Sequence, residues 1–355
     1  MKKRSGFGKV YSDAFSPIFA LMNMRSSLIL TAASTLLLLL QLATGSVSIP
    51  YGQLADALLG GSDADPTHVT ILWDSRIPRT LAAILAGASL SWSGMLMQTL
   101  FRNPLAGPSM LGVSSGASLG VAMLVLGSGG ALGIAGITGY ISISVAAFAG
   151  AFLLLALVLL VARRFADEST LLIFGIMLTF FTSAVVDALQ SRAGSEALRS
   201  YITWGMGNFG DCNFTEIIFL LAALFTGIAI TARFLSALNL MLLGETYAQT
   251  MGVNVRSVRI SMMIATGILA GCVTAFCGPI AFIGLAVPHL SRWLTQTADH
   301  RKNLLSTLWL GAITALLCDW LSRMTALPLN TIASALGAPF VIALVIRWKR
   351  FSPLI

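Results

Sequence analysis

The sequence predicts an all-α membrane protein of about ten transmembrane helices, built as inverted five-helix repeats with both termini inside. Three observations predict it. Apolar residues make up 56% of the chain and charged residues only 10%. Soluble domains carry about 25% charged residues, so this chain cannot cover a water-facing surface. Apolar runs recur along its length at close to the ~20 residues that cross hydrocarbon as a helix. Basic residues, finally, are sorted between alternate loops.

The first run, about 26–45, follows a basic tail from Lys2 to Arg25. A signal peptide would have a shorter apolar core nearer the start and a small-residue cleavage site, so this run reads as a first anchor. Further spans follow at roughly 77–100, 109–128, 140–162, 169–190, 214–235, 259–278, 280–297, 304–325 and 330–348. Residues 1–25 are then an inside tail, 26–350 the membrane domain and 351–355 a second inside tail. A long inside loop lies at about 236–258. With the N-terminus inside, 17 of the 22 Lys and Arg residues fall on that side. Arg76, Arg79, Arg192, Arg199 and Arg323 fall on the other. This is the positive-inside distribution, and it accounts for the net charge of +8 without nucleic acid.

A weak internal repeat supports the inverted arrangement. Leu85-Ala86-Gly87 with Gly94 in the second span matches Leu269-Ala270-Gly271 with Gly278 in the seventh. Five spans separate the copies, so they cross in opposite directions, as in many transporters. Small residues crowd the second and third spans, including Gly87, Ser91, Gly94, Gly112, Gly116 and Gly120. Small side chains let helix backbones approach closely in lipid, and the same composition suits a wall along a wide passage. The four cysteines, Cys212, Cys272, Cys277 and Cys318, show no metal or redox spacing and read as small apolar residues.

Catalytic constellations are missing. The sequence holds no GxxxxGK[ST] phosphate cradle, no HExxH and no GxSxG elbow, so neither nucleotide hydrolysis nor an intramembrane enzyme is expected. His289 has no ligand-forming neighbours in sequence and is not expected to hold a metal.

Three stretches are more particular. The first is Arg76-Ile-Pro-Arg79, then Gln98, then Arg102-Asn103-Pro104-Leu-Ala-Gly-Pro108 leading into Leu111-Gly112-Val-Ser-Ser-Gly-Ala117. The second runs from Gly278 through Gly284 to Pro288-His289, followed by Arg292 and Asp299-His-Arg301. The third holds Asp319, Arg323, Leu327-Pro328 and Gly337-Ala-Pro339-Phe340. Together they resemble the FecCD family, permease subunits of bacterial ABC importers for iron–siderophores, haem and vitamin B12, over about residues 26–350. Three positions depart from the family pattern: Ala326 stands for a usual Glu, Asn330 for a usual Gly, and Thr297 for a common Gly.

The resemblance implies a chain that binds no cofactor itself. Two copies would surround a central pathway in the inner (plasma) membrane. Two separate ABC ATPase subunits, carrying ATP and Mg, would sit on the cytoplasmic face, and a periplasmic or lipoprotein substrate-binding protein on the outer face. The cargo would be a bulky metal chelate moved by alternating access, with an iron chelate favoured by the breadth of that branch. Leu243, Gly244, Glu245, Ala248, Met251 and Gly252 match the family's ATPase-coupling segment, a short helix ending at Gly252. A carboxylate in its first turn complements the helix dipole. Arg76, Arg79 and Arg323 match arginines that receive glutamates of the binding protein, a task for which the planar guanidinium fork is suited. For Arg323, pairing with Asp319 one turn earlier is the alternative. Met95, Met97 and Gln98 are expected to line the pathway. A rival reading is a proton-coupled secondary transporter using Asp187 and Asp319, since carboxylates inside membrane spans are costly and usually functional.

Overall fold

The computed structural model describes residues 30–45, 47, 49–59, 65–127, 136–164 and 168–351. The expected N-terminal tail, and all but residue 351 of the C-terminal one, lie outside the described residues. Helix Leu30–Ala43 (α1) is followed by a short helix, Tyr51–Leu59 (α2), and then by one continuous helical stretch from Pro66 to Leu100. Asp65 starts that stretch by accepting a hydrogen bond from the Thr67 N–H at 2.8 Å, and Pro66 takes the first position, where no N–H is needed. A π-helical turn, Ile71–Arg76, separates its opening, Pro66–Thr70 (α3), from its main body, Ile77–Leu100 (α4).

The remaining helices are Val113–Val125 (α5), Gly136–Arg164 (α6), Glu168–Gln190 (α7), Ser195–Gly205 (α8), Phe214–Ala232 (α9), Leu235–Met241 (α10), Glu245–Thr250 (α11), Val255–Cys277 (α12), Ile283–Thr295 (α13), His300–Thr325 (α14) and Leu329–Phe351 (α15). Among the described residues, six helices are long and apolar enough to cross a membrane: Pro66–Leu100, Ile141–Arg164, Ser169–Gln190, Phe214–Ala232, Val255–Cys277 and His300–Thr325. Leu30–Ala43, Val113–Val125 and Leu329–Ala343 are apolar but shorter. With α13 these helices coincide in order with the expected segments. The segment expected at 280–297 shortens to the 13 residues of α13. At 1.5 Å per residue such a helix is about 20 Å long, against a hydrocarbon thickness of ~30 Å. Helices α2, α8 and α10 were not expected from the apolar runs, because each is short and carries a strong polar face or lies beside a longer run.

The bundle is organised around α4, which packs against α9, α12, α13 and α14. Of its most apolar window, 89% is buried inside the protein, against 22% for α7. Small residues make this possible. A Cβ added at Gly94 would lie 1.6 Å from the Gly284 carbonyl oxygen on α13, and one at Gly87 would lie 2.2 Å from the Gly311 oxygen on α14. The backbones therefore touch at both crossings. Pro288 contributes at the first, because lacking an N–H it leaves the Gly284 carbonyl without its usual intrahelical donor. The helix carrying the other copy of the Leu-Ala-Gly repeat, α12, is the second most buried of the six, at 72%. The repeat thus marks the two long helices that form the interior. Side chains of α6, α7 and α9 such as Val145, Phe180, Phe181, Ile218 and Phe225 face outward and are exposed, as a lipid-covered or partner-covered perimeter requires.

Candidate docking and coupling sites

Arg76, Arg79, Arg323 and Asp319 converge at one end of the bundle. Arg79 grips Asp319 with two nitrogens, Nη2 to Oδ1 at 2.8 Å and Nε to Oδ2 at 3.1 Å. Arg323 Nε approaches Asp319 Oδ2 at 3.4 Å from one turn further along α14. Asp319 itself is fully buried, so a single carboxylate anchors one guanidinium from α4 and one from its own helix. The third arginine is used differently. Arg76 is buried and donates to the carbonyls of Leu42, Ala43 and Val47. Arg323 adds Nη1 donations to the carbonyls of Thr44, at 2.9 Å, and Gln41. The Gln41, Leu42 and Ala43 carbonyls end α1, where the last turn has no intrahelical donors and carries the negative pole of the dipole, and those of Thr44 and Val47 follow it. Two cations therefore cap one helix terminus.

Within this chain the Arg76 guanidinium is committed to the carbonyls at and just after the end of α1. The Asp319 pairing foreseen as the alternative for Arg323 is present in the structure. Arg79, whose side chain keeps 23% of its exposure, is the arginine of the three most open to an approaching carboxylate. For the proton-relay rival, Asp319 is buried with two guanidiniums against it, and Asp187 is exposed on α7.

At the opposite end, α11 stands between two glycines with positive φ, Gly244 at +119° and Gly252 at +83°. Glycine adopts this region without strain, so the helix starts and stops sharply. After Thr250 the chain closes with the Val253 N–H donating to the Ala248 carbonyl at 3.0 Å and the Gly252 N–H to Gln249 at 2.9 Å, the paired bonds of a glycine-terminated helix. Ala248 is the buried anchor. Tyr247 on α11, Leu243 just before the helix and Met251 just after it are 47%, 67% and 59% exposed. Glu245 ties the segment to the start of α12 through Arg259, at 2.6 Å. Arg256 donates to the Arg163 carbonyl near the end of α6, at 2.5 Å.

A buried polar network carries this end back into the core. The Asn239 amide on α10 donates to Asp299 at 2.6 Å, and its oxygen accepts from the His300 N–H at 2.9 Å. The same oxygen lies 2.7 Å from His300 Nδ1, so Nδ1 carries the proton, and Nε2 faces Thr99 of α4 at 2.7 Å. Partial desolvation acts to raise the Asp299 carboxyl, but hydrogen bonds from Asn239 and the Arg301 N–H hold it below the ordinary range. Sequence reading missed Asn239, His300 and Thr99 as one unit, since they come from three helices.

Met95, Met97 and Gln98 are buried within this chain, inside α4's packing shell. Arg292 of α13 explains two of them: Nη1 donates to the Met95 sulfur at 3.0 Å, and Nη2 donates to the Gln98 oxygen. Gln98 Nε2 in turn donates to the Leu285 carbonyl at 3.0 Å. The motif residues have structural duties. Asn103 Oδ1 accepts from the Leu105 N–H at 2.9 Å and shapes the turn after α4. The Pro104 carbonyl accepts from His289 Nε2 at 2.8 Å. Gly112 begins α5 at φ +71°. Gly337 lets Phe282 press onto α15, which also contains Pro339. No group of three or more metal-ligating side chains occurs among the described residues.

Comparison with known proteins agrees with this architecture. The model of the FecCD transport family matches residues 32–347. The vitamin B12 import system permease protein BtuC of Citrobacter koseri is 36% identical over 283 residues, covering 79% of this chain and 84% of that protein. Its counterpart in Salmonella newport has the same identity and coverage. A solved structure described as an inward-facing conformation of a metal-chelate type ABC transporter superposes with a TM-score of 0.78 at 28% identity, covering 90% of this chain and 97% of that one. On the family match and these relatives, the chain is a multi-pass membrane protein and belongs to the FecCD transport family.

Proposed function

We propose that this chain is the permease subunit of an ATP-driven, binding-protein-dependent importer of a bulky metal chelate in the bacterial inner membrane. Both termini lie in the cytoplasm, and ten helices in inverted repeats pair with those of a second copy around the pathway. The observation that carries the reading is the set of exposed apolar side chains at α11, Leu243, Tyr247 and Met251, in a chain whose relatives are permeases. Water-exposed apolar side chains on and immediately flanking a short, sharply bounded helix suit a partner protein rather than solvent. The ATPase pair occupies that end, and a loaded binding protein docks at the arginine end. ATP binding in the partner moves α11, and the Asn239–His300–Thr99 network transmits the displacement to α14 and α4. This chain contributes shape and binding, without catalytic groups, cofactor or metal of its own. The outward apolar perimeter of α7 and its neighbours, rather than Met95, Met97 and Gln98, faces lipid, the second copy and the pathway.

Because the compared relatives import vitamin B12, cobalamin is the first cargo to test, with ferric siderophore and haem beside it. The chain is reconstituted in proteoliposomes with its ATPase partner and each loaded binding protein, and uptake is followed with and without ATP. ATP-dependent uptake of one chelate, lost on Arg79→Glu, supports the proposal. Uptake driven by a proton gradient without the ATPase, and lost on Asp187→Asn, would overturn it in favour of a secondary transporter.

A further inference from the structure

At the arginine end, three connections meet that no motif links in sequence. The segment 206–213 between α8 and α9 lies backbone to backbone against the segment 278–282 that joins α12 to α13. The Asn208 N–H donates to the Cys277 carbonyl at 2.9 Å. Gly207 and Gly278 both adopt positive φ, at +72° and +74°, and a Cβ on Gly278 would lie 2.5 Å from the Trp204 carbonyl oxygen. Asn330, one of the departures from the family pattern, clasps both segments: its N–H donates to Met206 O at 3.1 Å, and its side-chain oxygen accepts from the Ala281 N–H at 3.1 Å.

Inside this junction, Cys212 of the first segment and Cys277 at the end of α12 face each other with sulfurs 3.7 Å apart. Both are buried free thiols, 4% and 2% exposed. Cys272 points instead to the Phe219 carbonyl on α9, and Cys318 lies on α14. The two facing sulfurs are in van der Waals contact, and a disulfide bond of about 2.05 Å requires them to approach by about 1.7 Å. Cys212 sits on a non-helical segment that can supply it.

We infer that Cys212 and Cys277 are a thiol-oxidation site whose intrachain disulfide staples the 206–213 segment to the α12–α13 junction. The oxidant is a small-molecule disulfide or a disulfide-carrying oxidoreductase. The Cys212 thiolate attacks a sulfur of that disulfide, forming a mixed disulfide and releasing one thiolate. The Cys277 thiolate then attacks the Cys212 sulfur and expels the second. Two cysteine thiols and one disulfide become one protein disulfide and two thiols. Two electrons pass to the oxidant, and the two cysteine protons end on the released thiols. Resting on the importer reading, the consequence is mechanical: a covalent tie across this junction holds α8, α12 and α13 in one arrangement and stops alternating access.

The test uses the full chain, reconstituted in nanodiscs for thiol mapping and in proteoliposomes with its ATPase for uptake. After equilibration with oxidised glutathione or diamide, free thiols are tagged under denaturing conditions and linked peptides are identified by mass spectrometry. The expected result is a Cys212–Cys277 peptide, released by dithiothreitol, present also in the Cys272→Ala/Cys318→Ala variant and missing in Cys212→Ala and Cys277→Ala. Oxidised vesicles lose uptake and recover it with dithiothreitol, whereas Cys277→Ala vesicles are indifferent to oxidant. Four taggable thiols after oxidation, or linkage at any other pair, would overturn the site. A disulfide that leaves uptake unchanged would overturn the staple. Vesicles that fail to take up chelate even when reduced count against the importer reading and leave the peptide result standing.

Discussion

The two ends of α4 use charge in opposite ways. At the arginine end the charged groups turn inward: Asp319 is buried, and Arg76 and Arg323 are spent largely on the end of α1. At the other end one ion pair, Glu245–Arg259, fixes a short helix that then presents Leu243, Tyr247 and Met251 outward. The contrast teaches that charge alone does not mark a partner surface. Cations that match a docking motif can be structural, while the surface best suited to a partner carries apolar side chains held on a rigid turn.

The sharpest way to break this contrast is Asp319→Ala. It strands two guanidiniums in a buried setting, where removing one partner of an ion pair costs about 3–5 kcal/mol. The expected outcome is a much lower thermal midpoint in detergent, with poor recovery from the membrane. Unfolding at the wild-type temperature would show that the pair carries no structural weight.

A smaller loss, about 1–3 kcal/mol from overpacking, is expected for Gly94→Ala, because its Cβ would meet the Gly284 carbonyl. The same substitution at Gly194, where nothing lies within 4 Å, serves as the control and should leave the midpoint near wild type.

Arg76 and Arg79 separate capping from docking. Arg76→Gln removes donors from the α1 carbonyls and should lower stability by about 1–3 kcal/mol while leaving the affinity of the binding protein unchanged. Arg79→Gln should weaken that affinity more than the midpoint, as titration of the binding protein onto nanodiscs would measure. Equal losses of affinity in both variants would return Arg76 to the docking surface.

The least effect on stability, within about 0.5 kcal/mol, belongs to Leu243→Ser with Met251→Ser, because both side chains are exposed. Its effect on function should still be complete: substrate-stimulated ATP hydrolysis of the reconstituted complex falls to the rate of the isolated ATPase. Retained stimulation would mean that the contact lies elsewhere.

Part of this was legible in the chain itself. The six long apolar helices fall at expected segments because hydropathy over ~20 residues is a local property, and α11 ends as the Gly252 signal indicates. The contacts of Arg76, Met95 and Gln98 were not legible. Arg79 finds Asp319 at a separation of 240 residues, Arg292 reaches Met95 across 197, and Arg76 meets the end of α1 through a loop of unremarkable composition. A residue's own type and neighbours say nothing of such partners.

By itself, then, the sequence determined the helical membrane class, the order of its apolar segments and the family that the motifs express, since all three rest on residue type, spacing and local periodicity. Only the tertiary structure decided which arginine stays open, which methionines are interior and which thiols face each other. Those outcomes depend on burial and on distances of a few ångströms between helices that are remote along the chain.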